Sequence, residues 1–217
     1  MKPSARQHAL ETVSVVGAPL ALAVLEMVHP HSRDLFHLDV QTWLLVHYLR
    51  IPLFPLAALA TVVLVRRPSG FAAALCRVGM FVFAMTYTAF DTAAGIVTGV
   101  LVKAAEATST PEAWRAPVRA VWTHPIIGGA PGMVPLLAVL GGVTWLLGAL
   151  GTAVAVRRAG YSWTPVVPLV FSAPGLVAFK THAWPGGPIS FGSLAAAAAW
   201  LQWERIGQAK TGADCAA

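Results

Sequence analysis

The sequence predicts an all-α, polytopic transmembrane helix bundle. Apolar residues make up 57% of its 217 positions, charged residues only 11%, and the mean hydropathy is +0.67. Soluble domains carry about 25% charged residues, so this much apolar surface exceeds what one aqueous core of this size can bury. Lipid can act as solvent for the excess. The length suits a single membrane domain spanning 1–217, with the lipid bilayer as its first partner.

A spanning helix needs about 20 mostly apolar residues, and about six segments qualify: 12–29, 40–65, 78–102, 133–156, 163–180 and 187–203. In the first, Lys2 and Arg6 precede an apolar stretch from Val13 to Val28, as in a signal peptide. Glu26, Met27, His29 and Pro30 stand where a small-residue cleavage site would fall, which predicts an uncleaved first helix. In the second, Pro52 and Pro55 remove helix bonds to the carbonyls of Tyr48 and Ile51, predicting a kink. The third contains Gly95 and Gly99 in a GxxxG spacing that lets another backbone approach.

The long loop 103–132 carries a short amphipathic helix from Pro111 to His124. Trp114, Val118, Val121 and Trp122 share one face of it, and Arg115 and Arg119 another, so it suits an interface or a lid. The fourth segment ends at Arg157-Arg158. The fifth and sixth are interrupted by Pro174, Gly175 and Gly192, and five spans would result if they formed one re-entrant pair. The run Ala195 to Ala199 reads as close helix packing, and Trp43, Trp163, Trp184 and Trp203 near helix ends as an aromatic belt.

Six spans place Lys2, Arg6, Arg66, Arg67, Arg77, Arg157, Arg158, Arg205 and Lys210 on one side, against Arg33, Lys103, Arg115, Arg119 and Lys180 on the other. The positive-inside rule assigns the first set, and both termini, to the cytoplasm. The expected location is a bacterial plasma membrane, the cell inner membrane. The net charge of +6 is spread over short loops and forms no patch, which argues against nucleic acid as a partner. Cys76 and Cys215 form no thiolate metal motif. There is no GxSxG and no phosphate-cradling glycine loop. Arg67-Pro68-Ser69-Gly70 opens like a membrane phosphatase signature, but Phe71 stands where its histidine would be.

Ionisable residues at membrane depth are costly and mark functional candidates. Glu26, His47, Arg50 and Asp91 are four such residues. At 1.5 Å per residue, Arg50 lies about 10 Å and Asp91 about 13 Å below the external interface on adjacent antiparallel helices, so they can pair. Such a pair can also serve only to fix helix register. His47 shares the face of Arg50 at i−3, with Trp43 a turn earlier, and Tyr87, Thr88, Asp91, Gly95 and Thr98 form the facing stripe. The expected pocket or ion-pair residues are therefore His47, Arg50, Tyr87 and Asp91.

His29, His31, His37, His124 and His182 also gather near the external face, where they could equally be interfacial side chains with wet tips. Glu26 and His29 form an ExxH on one helix. With His47, and with His124 folded back on the Pro125 to Gly129 turn, they could hold a transition metal such as zinc, copper or iron, or a haem between two imidazoles. The first functional expectation is thus a polar pocket near the external face that binds a metal or haem, for redox chemistry. The alternatives are a small-molecule or proton-coupled transporter, a membrane-embedded enzyme acting on a lipid or isoprenoid, and an accessory subunit without its own site. A small-molecule or lipid substrate and a homo-oligomeric state fit these readings.

Overall fold

The computed structural model describes the backbone of residues 5–30, 34–128, 134–180 and 182–214, and within these the side chains from Leu10 to Arg205. Lys2, His31, Arg33, Gly129 and Cys215 lie outside the described residues, as do the side chains of Arg6, His8 and Lys210. Residue 133, where the fourth span is expected to begin, lies outside them too.

The described chain is helical with no strand. Its helices are α1 (Ala5–Met27), α2 (Val40–Leu64), α3 (Phe71–Phe90), α4 (Val97–Glu106), α5 (Arg115–Trp122), α6 (Leu136–Arg158), α7 (Trp163–Ser172), α8 (Gly175–Ala178) and α9 (Gly186–Asp214). A π-helical turn, Asp91–Ile96, joins α3 to α4 without a break. Four segments are long and apolar enough to cross a membrane: Leu10–Met27, Val40–Leu64, Phe71–Glu106 and Leu136–Arg158.

Local chemistry sets the boundaries. Asp39 caps α2, accepting from the backbone N–H groups of Gln41 at 3.1 Å and Thr42 at 3.2 Å. Gly70 turns the chain at φ +91° and α3 starts at once. The third segment therefore begins at Phe71 rather than near 78. Arg77 does not mark its end, because its guanidinium reaches back to the carbonyls of Val65 at 3.0 Å and Pro68 at 3.1 Å. α6 stops where Gly160 adopts φ +89°. The fifth segment is split, α7 ending before Pro174 and α8 restarting at Gly175, whereas α9 runs through Gly192 unbroken. α2 likewise continues through Pro52 and Pro55. The amphipathic stretch is a 3-10 turn, Pro111–Trp114, followed by α5.

The long elements close a ring in which α1 packs on α2, α2 on α3, α3 on α6, α6 on α7, α7 on α9 and α9 back on α1. Small residues make the α3–α6 contact tight. A Cβ at Gly79 would lie 2.7 Å from the Thr144 carbonyl, and one at Gly151 2.7 Å from that of Ala72. Inside the ring, Phe54, Phe83, Trp145 and Phe191 are fully buried in edge and tilted contacts, with centroids 4.8–6.1 Å apart. Outside it, large apolar residues such as Val13, Phe71, Phe81 and Met85 are exposed, a surface that fits lipid and not water.

The two ends of the bundle differ. At one, Glu11 pairs with Arg66 at 2.7 Å and lies 3.7 Å from Arg205, whose Nη2 donates to the Leu64 carbonyl. The other end holds a buried ionic cluster and a cavity.

Candidate functional site

Arg50 is the hub. It is fully buried on α2 and lies between Glu26, in the last turn of α1, and Asp91, the first residue of the π turn. Its Nη2 donates to Glu26 Oε2 in a short contact, and its Nη1 donates to Asp91 Oδ1 at 3.4 Å. Two carboxylates, exposed 0% and 1%, thus share one guanidinium. A planar fork with five donors is suited to bridging them.

His47 sits one turn before Arg50. Its Nδ1 is 2.7 Å from the carbonyl of Trp43, which can only accept, so Nδ1 carries the proton. In the neutral ring the lone pair is therefore on Nε2, which lies 3.5 Å from Arg50 Nη1 and 3.8 Å from Asp91 Oδ1. Trp43 Nε1 donates at 2.8 Å to the carbonyl of Gly95. In a π turn the hydrogen-bond register shifts by one residue, and such turns recur at functional sites. Here the turn presents Asp91 inward and offers the Gly95 carbonyl to α2. Gly95 has to be small, because a Cβ there would overlap the His47 ring.

The loop between α8 and α9 adds His182, whose Nδ1 lies 3.2 Å from Glu26 Oε2. Gly187 permits that approach, since a Cβ there would stand 2.5 Å from Glu26 Cγ. His29 packs its ring against Trp43, His47 and His182 with centroids 4.9, 5.2 and 5.7 Å apart. Tyr87 is buried beside Phe54 and His182.

These groups form the floor of a cavity of about 880 Å³, within the range of small-molecule sites. Trp43, His47, Tyr87, Asp91 and His182 line it at depth, and Ala138, Val139, Val143 and Leu176 make apolar walls. Arg115, Arg119 and Lys180 stand at its mouth. Asp91 Oδ2, with less than 1 Å² exposed, has no hydrogen-bond partner among the described residues.

α5 covers part of the mouth. Val118 is buried under it, and Trp122 Nε1 donates to Thr98 Oγ1 at 2.8 Å. Arg115 Nη1 reaches both oxygens of Asp34 at 3.2 Å, with its guanidinium 4.7 Å above the Phe36 ring and its Nε 2.5 Å from Glu112. The Phe36 backbone N–H and the Arg115 guanidinium hold the Asp34 carboxyl below its ordinary range. Glu112 and Asp34 raise the pKa of Arg115.

The structure gathers Glu26, His29, His47, Arg50, Tyr87 and Asp91 into one cluster. It leaves His124 out: that residue is exposed on the turn after α5, where its ring accepts from the Ile126 backbone N–H at 3.3 Å. His182 and Phe90 were not legible as site features, and α5 was legible only as an interface helix or a lid. His182 carried one signal, its place at the same face as the other histidines, but no spacing tied it to Glu26. Among the described residues no group of three or more His, Cys, Asp or Glu is arranged to hold a metal ion.

The fold and site define a helical bundle with membrane-compatible helices and a buried charged cluster beneath a large, apolar-walled cavity. No protein family, curated protein or solved structure matches this chain.

Proposed function

We propose that this protein is a membrane-embedded enzyme that takes an amphiphile of the lipid or isoprenoid class into the cavity and exchanges a proton with its polar group. The observation that carries this reading is Asp91: a nearly inaccessible carboxylate in the lining of an 880 Å³ cavity, whose Oδ2 has no partner among the described residues. A buried acceptor left unmade costs about 1–3 kcal/mol. A ligand O–H or N–H at that oxygen removes the cost, and the apolar walls take the rest of the molecule. His47 Nε2, which carries the lone pair in the tautomer that the Trp43 carbonyl selects, accepts the proton, and Asp91 then stabilises the imidazolium.

The test is mass spectrometry of lipid extracted from protein purified in mild detergent. Wild type should retain an amphiphile in stoichiometric amount, and Asp91→Asn and His47→Ala should retain much less. An empty wild type, or equal retention in all three, overturns the proposal.

A second reading keeps a transition metal or haem, because the His29 ring lies edge-on to those of His47 and His182, with centroids 5.2 and 5.7 Å away. Glu26 is committed to Arg50 and His182, so imidazoles are the donors left, and they would have to rearrange to close on an ion. An absorption spectrum and elemental analysis decide this. A stoichiometric signal lost in His47→Ala supports it, and a colourless, metal-free protein removes it.

Six crossings, with both termini on the arginine-rich side in the cytoplasm, complete the proposal. In support, Arg157 at the end of α6 reaches the Tyr161 carbonyl and Arg205 lies 3.3 Å from the Tyr161 hydroxyl at that end. α7 and α8 then lead to Lys180 at the cavity, and α9 returns.

A further inference from the structure

Two cations at the mouth play no part in proton exchange on the floor. Arg119 on α5 and Lys180 after α8 both line the cavity, both are exposed, and neither is ion-paired among the described residues. Arg115 beside them is different, because Asp34 and Glu112 already engage it. Lys180 is also held at φ +53°, in the left-handed region that disfavours side chains. Glycine or asparagine is the usual residue there after a helix. The fold thus accepts backbone strain that places an ammonium at the mouth, and strain of this kind clusters at ligand-binding sites. Trp122 and Trp184 are exposed nearby in sequence, as side chains at a headgroup interface are.

We infer that the mouth binds a phosphate-type anion carried by the amphiphile, held between Arg119 and Lys180. The inference rests on the amphiphile reading of the cavity. Charge sets the orientation of the ligand. The floor has two carboxylates for one guanidinium, so an anionic group is repelled from it, while a hydroxyl or amine suits Asp91 Oδ2. The anion therefore belongs at the mouth, where two cations have no counter-ion among the described residues. A carboxylate would be satisfied by the forked guanidinium of Arg119 alone. A phosphate ester has further oxygens for the point charge of Lys180. The substrate class is a molecule with a phosphate at one position, a hydrogen-bond donor at another and apolar substance against the walls.

The experiment measures binding of two probes to the full chain in detergent: decanoyl lysophosphatidic acid, and the monoacylglycerol with the same chain. Wild type should bind the phosphate probe at least tenfold more tightly. Arg119→Gln with Lys180→Asn, the latter compatible with the left-handed backbone, should abolish the preference while leaving monoacylglycerol affinity unchanged. Equal affinities in wild type, both lost in Asp91→Asn, would overturn the mouth site and leave the pocket reading intact. Failure of both probes to bind would overturn the two together. Displacement of the phosphate probe by equimolar inorganic phosphate would overturn the amphiphile as the source of the anion.

Discussion

Arg50 answers a question that its sequence position raises, namely what neutralises a guanidinium below the interface. Asp91 lies at the matching depth on the neighbouring helix, and its Oδ1 is 3.4 Å from the guanidinium. It also supplies Glu26 as the closer partner, which the ExxH spacing had suggested as a metal ligand. Spacing gives the level of a residue in the membrane and its face on its own helix, but not the direction in which neighbouring helices turn that face. Arg50→Met would strand two buried carboxylates, at a cost of about 3–5 kcal/mol, read as a lowered unfolding temperature in detergent. Combining it with Glu26→Gln and Asp91→Asn removes the stranded charge and should recover most of that loss, since neutral replacements of buried ion networks are tolerated. The triple variant should nevertheless fail to retain amphiphile. Retention at the wild-type level would mean the network serves only to fix helix register.

At the scale of the element, the π turn is the device that makes a site out of two packed helices. Gly95→Ala pushes a methyl into the His47 ring, and overpacking of this kind costs about 1–3 kcal/mol. The expected result is a modest fall in stability with a disproportionate loss of ligand retention, because the ring that moves is the proton acceptor. Helix α5 is held differently, by the Asp34–Arg115 pair outside the spanning segments. The Asp34 carboxyl titrates below its ordinary value of 3.8 in the folded chain. Its contribution to docking α5 is therefore complete above that value and is lost as pH falls through the lowered one. The protection of α5 amides from hydrogen exchange, relative to the intrinsic rate at each pH, should be flat between neutral pH and pH 5, and lower at neutral pH in Asp34→Asn. The amphipathic face of α5 was legible from Val118 and Trp122. The start of α3 was not, because Arg77 turns back to Val65 and looks in sequence like a boundary. The π turn left no sequence signal beyond Gly95 and Gly99, since helix registers of four and five residues share the same composition.

The whole molecule is a ring whose members each run between an arginine-rich end and a cavity end. Apolar composition and the spacing of long segments made the helical bundle legible, but ring order depends on which faces interlock, as Gly79 of α3 and Gly151 of α6 do between those two helices. Traced by its contacts, α1 leaves Glu11 for Glu26, α2 brings the chain from Trp43 back to Leu64, and the third segment climbs from Arg77 past Asp91. α6, α7 with α8, and α9 repeat the alternation, which puts Ser69 and Ser109 at opposite ends, both exposed. The two Arg-Arg pairs then fall on one side, and stranding four extra arginines outside would defy the bias that orients most membrane proteins. Single cysteines test this directly, with Cys215 replaced by serine and the buried Cys76 left in place. Ser109→Cys should react with a membrane-impermeant maleimide in intact cells, and Ser69→Cys only after permeabilisation. The reverse pattern would turn the cavity mouth toward the cytoplasm, and the amphiphile would then enter from the inner leaflet. Labelling of both in intact cells would mean an even number of crossings between them, and the third segment would not span.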